Sequence, residues 1–209
     1  MQLQLEKCPW KPYIFSESSV SESPVWLSAM TLAGAIAREF GDRTAIARVL
    51  HNLGIVANHR RDYAQAHAYL TECLAAFADL GDKGSIALTL YTLGLVADGE
   101  GNAELATERF RESLRLRHAL GEKLGATDCL LALADHAGRR GNRMVAGRLF
   151  GAAEALRRAI GAPWLPEERE RYDRAVTAYR DTDGAAAWDA GRKLSLDNAA
   201  AEALDGTAP

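Results

Sequence analysis

The feature that most restricts what this 209-residue chain can fold into is a step of 40 residues that recurs through its middle without a gap. Gly41-Asp42, Gly81-Asp82 and Gly121-Glu122 open successive units, and Gly161 stands where the next would begin. Other columns keep the same step: Leu50, Leu90 and Leu130; Leu53, Leu93 and Leu133; Ala57, Ala97 and Ala137; Ala66, Ala106 and Ala146; Leu70, Phe110 and Phe150. A unit this short cannot bury its apolar face alone, so neighbouring units must stack and share a core.

Each unit divides into two helical stretches. In Ala45 to His59 the apolar residues Ile46, Val49, Leu50, Leu53, Val56 and Ala57 recur at intervals of three and four, which makes one helical stripe. A turn follows at Arg61-Asp62, Gly101-Asn102 or Gly141-Asn142, residues suited to ending one helix and starting another. The second helix of the first unit is expected over Tyr63 to Leu80, stopped by Gly81. Gly54, Gly94 and Ala134 share one column, and Ala66, Ala106 and Ala146 another. Small side chains let two axes approach, so these columns mark the contact between the helices of one unit.

Leu50, Leu53, Gly54 and Ala57 in the first helix, with Tyr63, Ala66 and Leu70 in the second, resemble the tetratricopeptide repeat. So do Leu90, Leu93, Gly94, Ala97, Ala106 and Phe110 in the next unit. The third unit departs from the pattern at Ala134. The usual repeat is about 34 residues, so the helices here are longer, and the family's late proline is missing. The resemblance implies an all-α, right-handed solenoid of antiparallel helix pairs over residues 41–160. It also implies a concave groove lined by the first helices.

The ends divide differently. Val25 to Phe40 reads as a lone second helix, half of a degenerate repeat, with Ser23 as cap and Pro24 in its first turn. Residues 1–24 are expected to form a poorly ordered arm, with docking of Trp10, Tyr13 and Phe15 on the first helix as the alternative. Residues 161–209 are expected to cap the array. Helices are placed from Pro166 to about Asp181, from Ala185 to Lys193, and from a Ser195 cap through Leu204.

The run Leu149 to Arg157, with Ala187-Trp188 and Gly191 to Leu196, resembles the end of the repeat region in large ATP-binding bacterial regulators of the LuxR type. In those proteins a nucleotide-binding ATPase precedes the repeats and a helix-turn-helix often follows. This sequence has no Gly-x4-Gly-Lys-Ser/Thr loop. The resemblance therefore implies a detached sensor or scaffold portion, working in cytoplasmic signalling.

Several function classes are disfavoured. A formal charge of −3 and a pI near 6.0 argue against a direct nucleic-acid binder. The basic pairs Arg60-Arg61, Arg139-Arg140 and Arg157-Arg158 are too short to alter that. Cys8, Cys73 and Cys129 form neither a Cys-x-x-Cys pair nor a zinc spacing, which suits a reducing cytoplasm. No stretch has the apolar length of a membrane span or a signal peptide. Asp98 to Asn102 begins like a calcium loop, but Ala103 and Arg109 stand where glycine and glutamate are needed. The histidines, His51, His59, His67, His118 and His136, make no metalloprotease motif. No cofactor, metal site or catalytic constellation is expected.

What remains is a surface. The outward columns of the first helices read Arg48, Leu88 and Asp128; His51, Tyr91 and Leu131; Asn52, Thr92 and Ala132; Asn58, Asp98 and Gly138. Polar groups around an aromatic suit recognition of a peptide or helix. The leading expectation is a non-enzymatic scaffold that binds a protein or peptide, with homo-oligomerisation left open. A domain that senses a small-molecule inducer is the alternative.

Overall fold

The computed structural model describes residues 32, 35–37, 39–164, 166–180 and 184–205. The expected arm at residues 1–24 lies outside them, as does most of the expected Val25–Phe40 helix, of which 32, 35–37 and 39 are helical. Six helices form the body: α1 Arg43–His59, α2 Tyr63–Leu80, α3 Lys83–Gly99, α4 Ala103–Leu120, α5 Lys123–Arg139 and α6 Arg143–Ala159. α7, Pro166–Ala175, runs into a π-helical turn at Val176–Arg180, and α8, Ala185–Gly191, and α9, Leu196–Asp205, follow. No strand occurs among the described residues. α1 packs on α2, α3 on α4 and α5 on α6, and each pair stacks on the next, as in a tetratricopeptide-type solenoid.

The turns explain the even spacing. A left-handed residue recurs every 20 residues, at Gly41, Arg61, Gly81, Gly101, Gly121, Gly141 and Gly161. The residue after it donates its N–H back across the helix end, as Asp62 does to the Ala57 carbonyl at 2.9 Å and Asn102 to that of Ala97 at 2.8 Å. At Asp42, Asp62, Asp82, Asn102 and Asn142 that same residue then caps the next helix with its side chain. The Asp62 carboxylate accepts from the Gln65 amide, and the Asn102 side chain accepts from that of Leu105. One helix therefore closes and the next opens across two residues. Arg61 holds φ 59°, where the equivalent positions have glycine.

Small residues set the spacing within each pair. A Cβ on Gly54 would stand 2.5 Å from Leu70 Cγ, and one on Gly94 2.5 Å from Phe110 Cε1. Between pairs, a repeated polar contact sits in the core. Cys73 Sγ lies 3.5 Å from Thr89 Oγ1, and one step on Cys129 Sγ donates to Ser113 Oγ at 3.4 Å. The same two columns are used, with the thiol on opposite sides. Burial pushes both thiols up to about 11, so they pack as small core groups.

The 40-residue spacing has structural echoes past Gly161, where the sequence reading ended the period. Tyr172 stands 40 residues after Ala132 and is buried in the same core as Leu131. α8 crosses α6 at backbone contact, because a side chain on Gly151 would collide with the Trp188 carbonyl and one on Gly191 with that of Arg148. Glu154 joins the two elements. It accepts from Tyr172 Oη at 2.7 Å and Trp188 Nε1 at 3.0 Å, while Trp188 is wholly buried. α9 lies across α4, α5 and α6, held by Arg148 on Glu202 at 2.6 and 2.8 Å and by Arg111 Nε on the Ala203 carbonyl.

Candidate partner-binding surface

On a 3.6-residue helix, positions 48, 51, 55 and 58 fall on one stripe, and 88, 91, 95 and 98 on its equivalent one unit later. Along these stripes Arg48 is exposed, while Asn58, Leu88, Tyr91 and Asp98 are half-buried. Ile55, Leu95 and Asp135 complete the stripe and are half-buried too. They are absent from the outward columns expected from sequence, which include instead the neighbouring Asn52, Thr92 and Ala132. The three-and-four spacing that located the core stripe would have located these as well.

The structure places His51, Thr92, Asp128 and Leu131 below the surface, with relative exposures of 6%, 4%, 6% and 9%. The sequence pattern alone places all four outward. The physical reason differs by column. His51 Nε2 lies 3.1 Å from Thr92 Oγ1, whose hydroxyl also donates to the Leu88 carbonyl, so this column is where α1 meets α3. Asn52 is half-buried and hydrogen-bonds to His51. Asp128 is taken up by Arg157 at 2.9 Å, and Leu131 joins the core that holds Tyr172.

Burial lowers the pKa of His51 to about 4, opposed by the Asn52 hydrogen bond and assisted by the charge of Arg117. Asp98 is held well below the usual carboxylate range, first by the hydrogen bond from His136 and then by Arg139. His136 Nε2 is 3.1 Å and Arg139 Nη1 2.8 Å from Asp98 Oδ1. His136 Nδ1 reaches Thr107 Oγ1 at 3.1 Å, so a bridge of polar groups ties α3, α4 and α5 at one end of the stripe.

Two residues that sequence reasoning did not connect with the surface lie directly under it. Arg117 is 3% exposed, donates from Nε to Ser113 Oγ at 3.1 Å, and places its guanidinium 5.6 Å from the Tyr91 ring centroid. It passes over Gly125, where a side chain would collide with it. Arg157, also 3% exposed, sits 4.4 Å from the Trp164 ring centroid, and Trp164 stacks on Tyr172. Arg117 and Arg157 occupy the column that Phe77 fills in the first unit. Arginine at a core position was the available signal.

Among the described residues no group of three or more His, Cys, Asp or Glu is placed to hold a metal ion. No helix among them is long and apolar enough to cross a membrane. The arrangement is a rigid helical face with an apolar centre and charged ends. Residues 45–119, spanning α1 to α4, match the family model of the tetratricopeptide repeat. This supports a tetratricopeptide repeat protein, and repeats of that family generally mediate protein–protein interaction and bind proteins or peptides. No curated protein matches the chain.

Proposed function

We propose that the chain is a non-enzymatic interaction scaffold, or the regulatory module of a bacterial-type signalling or transcription regulator, working in the cytoplasm. Its partner is a protein or peptide rather than a nucleic acid, and it lies in the concave groove of the first helices. The observation that carries this reading is the apolar row of Ile55, Leu88, Tyr91 and Leu95, each half-buried on a rigid helix, beside exposed Arg48. Tyr91 packs against Phe110, with ring centroids 5.4 Å apart, so its ring is held before any partner arrives. A pre-positioned aromatic loses little entropy on binding and suits the role of anchor. The regulator context rests on the resemblance of Leu149 to Arg157 and Gly191 to Leu196 to the end of a regulator's repeat region.

The test is capture of a partner on the full chain, followed by titration of the purified pair. Tyr91→Ala should weaken binding by about 1 to 2 kcal/mol with an unchanged melt. Equal affinity for wild type, Tyr91→Ala and Leu95→Ala would move the binding surface elsewhere. A captured ATPase or DNA-binding regulator would support the proposed context, whereas a metabolic enzyme would count against it.

A further inference from the structure

α9 fills a channel that the repeat builds more than once. α4 and α6, the second helices of adjacent units, flank α5, and α9 lies against all three. It runs antiparallel to α4. His118 Nε2 meets Asp197 at 2.7 Å near its start, and Arg111 Nε donates to the Ala203 carbonyl near its end. Arg148 of α6 closes the other wall on Glu202. The buried residues of α9 are Ala199, Ala200 and Ala203, and in the same core Leu114 and Ala126 are wholly buried. Forty residues earlier α2 and α4 flank α3 in the same way. Among the described residues no helix lies between them. Leu74 and Ile86, which stand where Leu114 and Ala126 do, are half-buried, and Thr71, Ala75 and Ala78 along α2 are exposed. The clasping groups differ. Thr71 and Ala78 stand where Arg111 and His118 do, and Glu108 stands where Arg148 does. Glu104 and Glu108 are both exposed on the α4 wall, and among the described residues neither forms an ion pair. Glu112, next along that wall, is taken up by Arg109 at 2.7 Å, and Arg115 lies about two turns beyond Glu108.

We infer that the channel between α2 and α4 is a second docking surface, and that its occupant is a helix of a partner protein. That helix is built as α9 is, with alanine or glycine on its contact face, but it carries lysine or arginine where α9 carries Glu202. Small contact residues let the occupant settle between two helices, since side-chain size sets the distance between packed axes. Ile86, larger than Ala126, raises the floor and gives the occupant an apolar contact together with Leu74. A basic residue on the occupant pairs with Glu108 and Glu104, as Glu202 pairs with Arg148 one unit on, with the signs exchanged. The α9 of a second copy would set Glu202 against Glu108, so the same surface rejects it. This surface belongs to the second helices, and the inference does not depend on the groove of the first helices.

The experiment displays the α9 sequence, residues 194–205, with the positions of Asp197, Asn198, Ala201, Glu202 and Asp205 randomised. The library is panned over the immobilised full chain and over its Ala75→Tyr variant, in which a ring at an exposed position fills the channel. Each variant's melt is recorded, and Ala78→Tyr serves if Ala75→Tyr does not fold. Helices lost from the variant are then titrated as peptides by fluorescence anisotropy. They should carry Lys or Arg at the position of Glu202. Glu108→Lys should weaken them roughly tenfold, and Tyr91→Ala should leave them unchanged. Channel-dependent helices that are neutral or acidic at that position would overturn the inference, and so would basic ones indifferent to Glu108→Lys. If no helix depends on Ala75, the channel is not a docking surface. Helices lost with Tyr91→Ala but kept by Ala75→Tyr would overturn it too, while supporting the groove.

Discussion

α1 and α5 hold equivalent places in their units, yet their surroundings are opposite. α1 buries one face, through Ala47, Leu50, Gly54 and Ala57, and leaves Arg48 in water. In α5 every residue from Gly125 to Ala134 is buried. Nothing in the repeat step distinguishes them; their neighbours do. Among the described residues α1 packs on α2 and α3, whereas α5 is enclosed by α4, α6 and α9 and by the aromatic core around Tyr172. A helix buried all round needs small or apolar residues on every side, and α5 supplies Ala126, Thr127, Cys129, Ala132 and Ala134. Among the described residues the first helices are thus enclosed least at α1 and most at α5.

The largest expected effect tests this contrast within one column. Asp128→Ala should cost about 3 to 5 kcal/mol, because it strands Arg157 in the interior without its carboxylate. The same change at Arg48, exposed on α1, should stay within roughly 0.5 kcal/mol. Urea melts of both variants decide it, and similar losses would remove the distinction between the two helices.

Next in size is Gly94→Leu, expected to cost roughly 2 to 4 kcal/mol, since even a Cβ there meets the Phe110 ring at 2.5 Å. In the third unit the equivalent Ala134 already carries a methyl opposite Phe150, so Ala134→Gly should cost only about 1 kcal/mol. A Gly94→Leu protein as stable as wild type would refute the assigned contact between α3 and α4.

At this column the first unit carries a titrating group, His51, where the third has Leu131. The folded-state pKa is near 4, against an ordinary value of 6.5, so the unfolded chain binds the proton more readily. Stability from this group is complete above about pH 6.5 and is lost as pH falls toward 4. The loss should reach about 2 to 3 kcal/mol. His51→Gln should flatten that part of the profile in melts taken across this range. A wild-type profile level between pH 6.5 and 4 would contradict the burial of the imidazole.

The smallest effect concerns the turn between α1 and α2. Arg61 has φ 59° where Gly101 and Gly141 hold the same position in later units. Arg61→Gly should stabilise by up to about 1 kcal/mol, because the left-handed backbone strains a residue with a side chain. A thermal melt shifted downward would show that Arg61 makes compensating contacts.

The fold was legible because its determinants are local and periodic. Gly54 opposite Leu70, the capping Asp62 and the left-handed Gly81 each act within one unit or one turn, and repetition made them visible. The surface was only partly legible. The stripe through Arg48, Tyr91 and Asp98 follows from helical spacing, but the burial of Thr92 depends on how closely α1 approaches α3. That distance is set by residues 41 positions apart in sequence, His51 and Thr92. Arg157 was equally hidden, since a pair of arginines on a helix looks solvated until Asp128 and Trp164 are seen beside one of them. The arm and most of the Val25–Phe40 helix lie outside the described residues and stay expectations.

Amide hydrogen exchange on the full chain, followed peptide by peptide, tests the contrast between α1 and α5 most directly. The amides of Gly125 to Ala134 in α5 should be the slowest of the three first helices, α3 should be intermediate, and α1 the fastest. Protection in α1 equal to or greater than that in α5 would contradict the contrast between the described surroundings of these two helices.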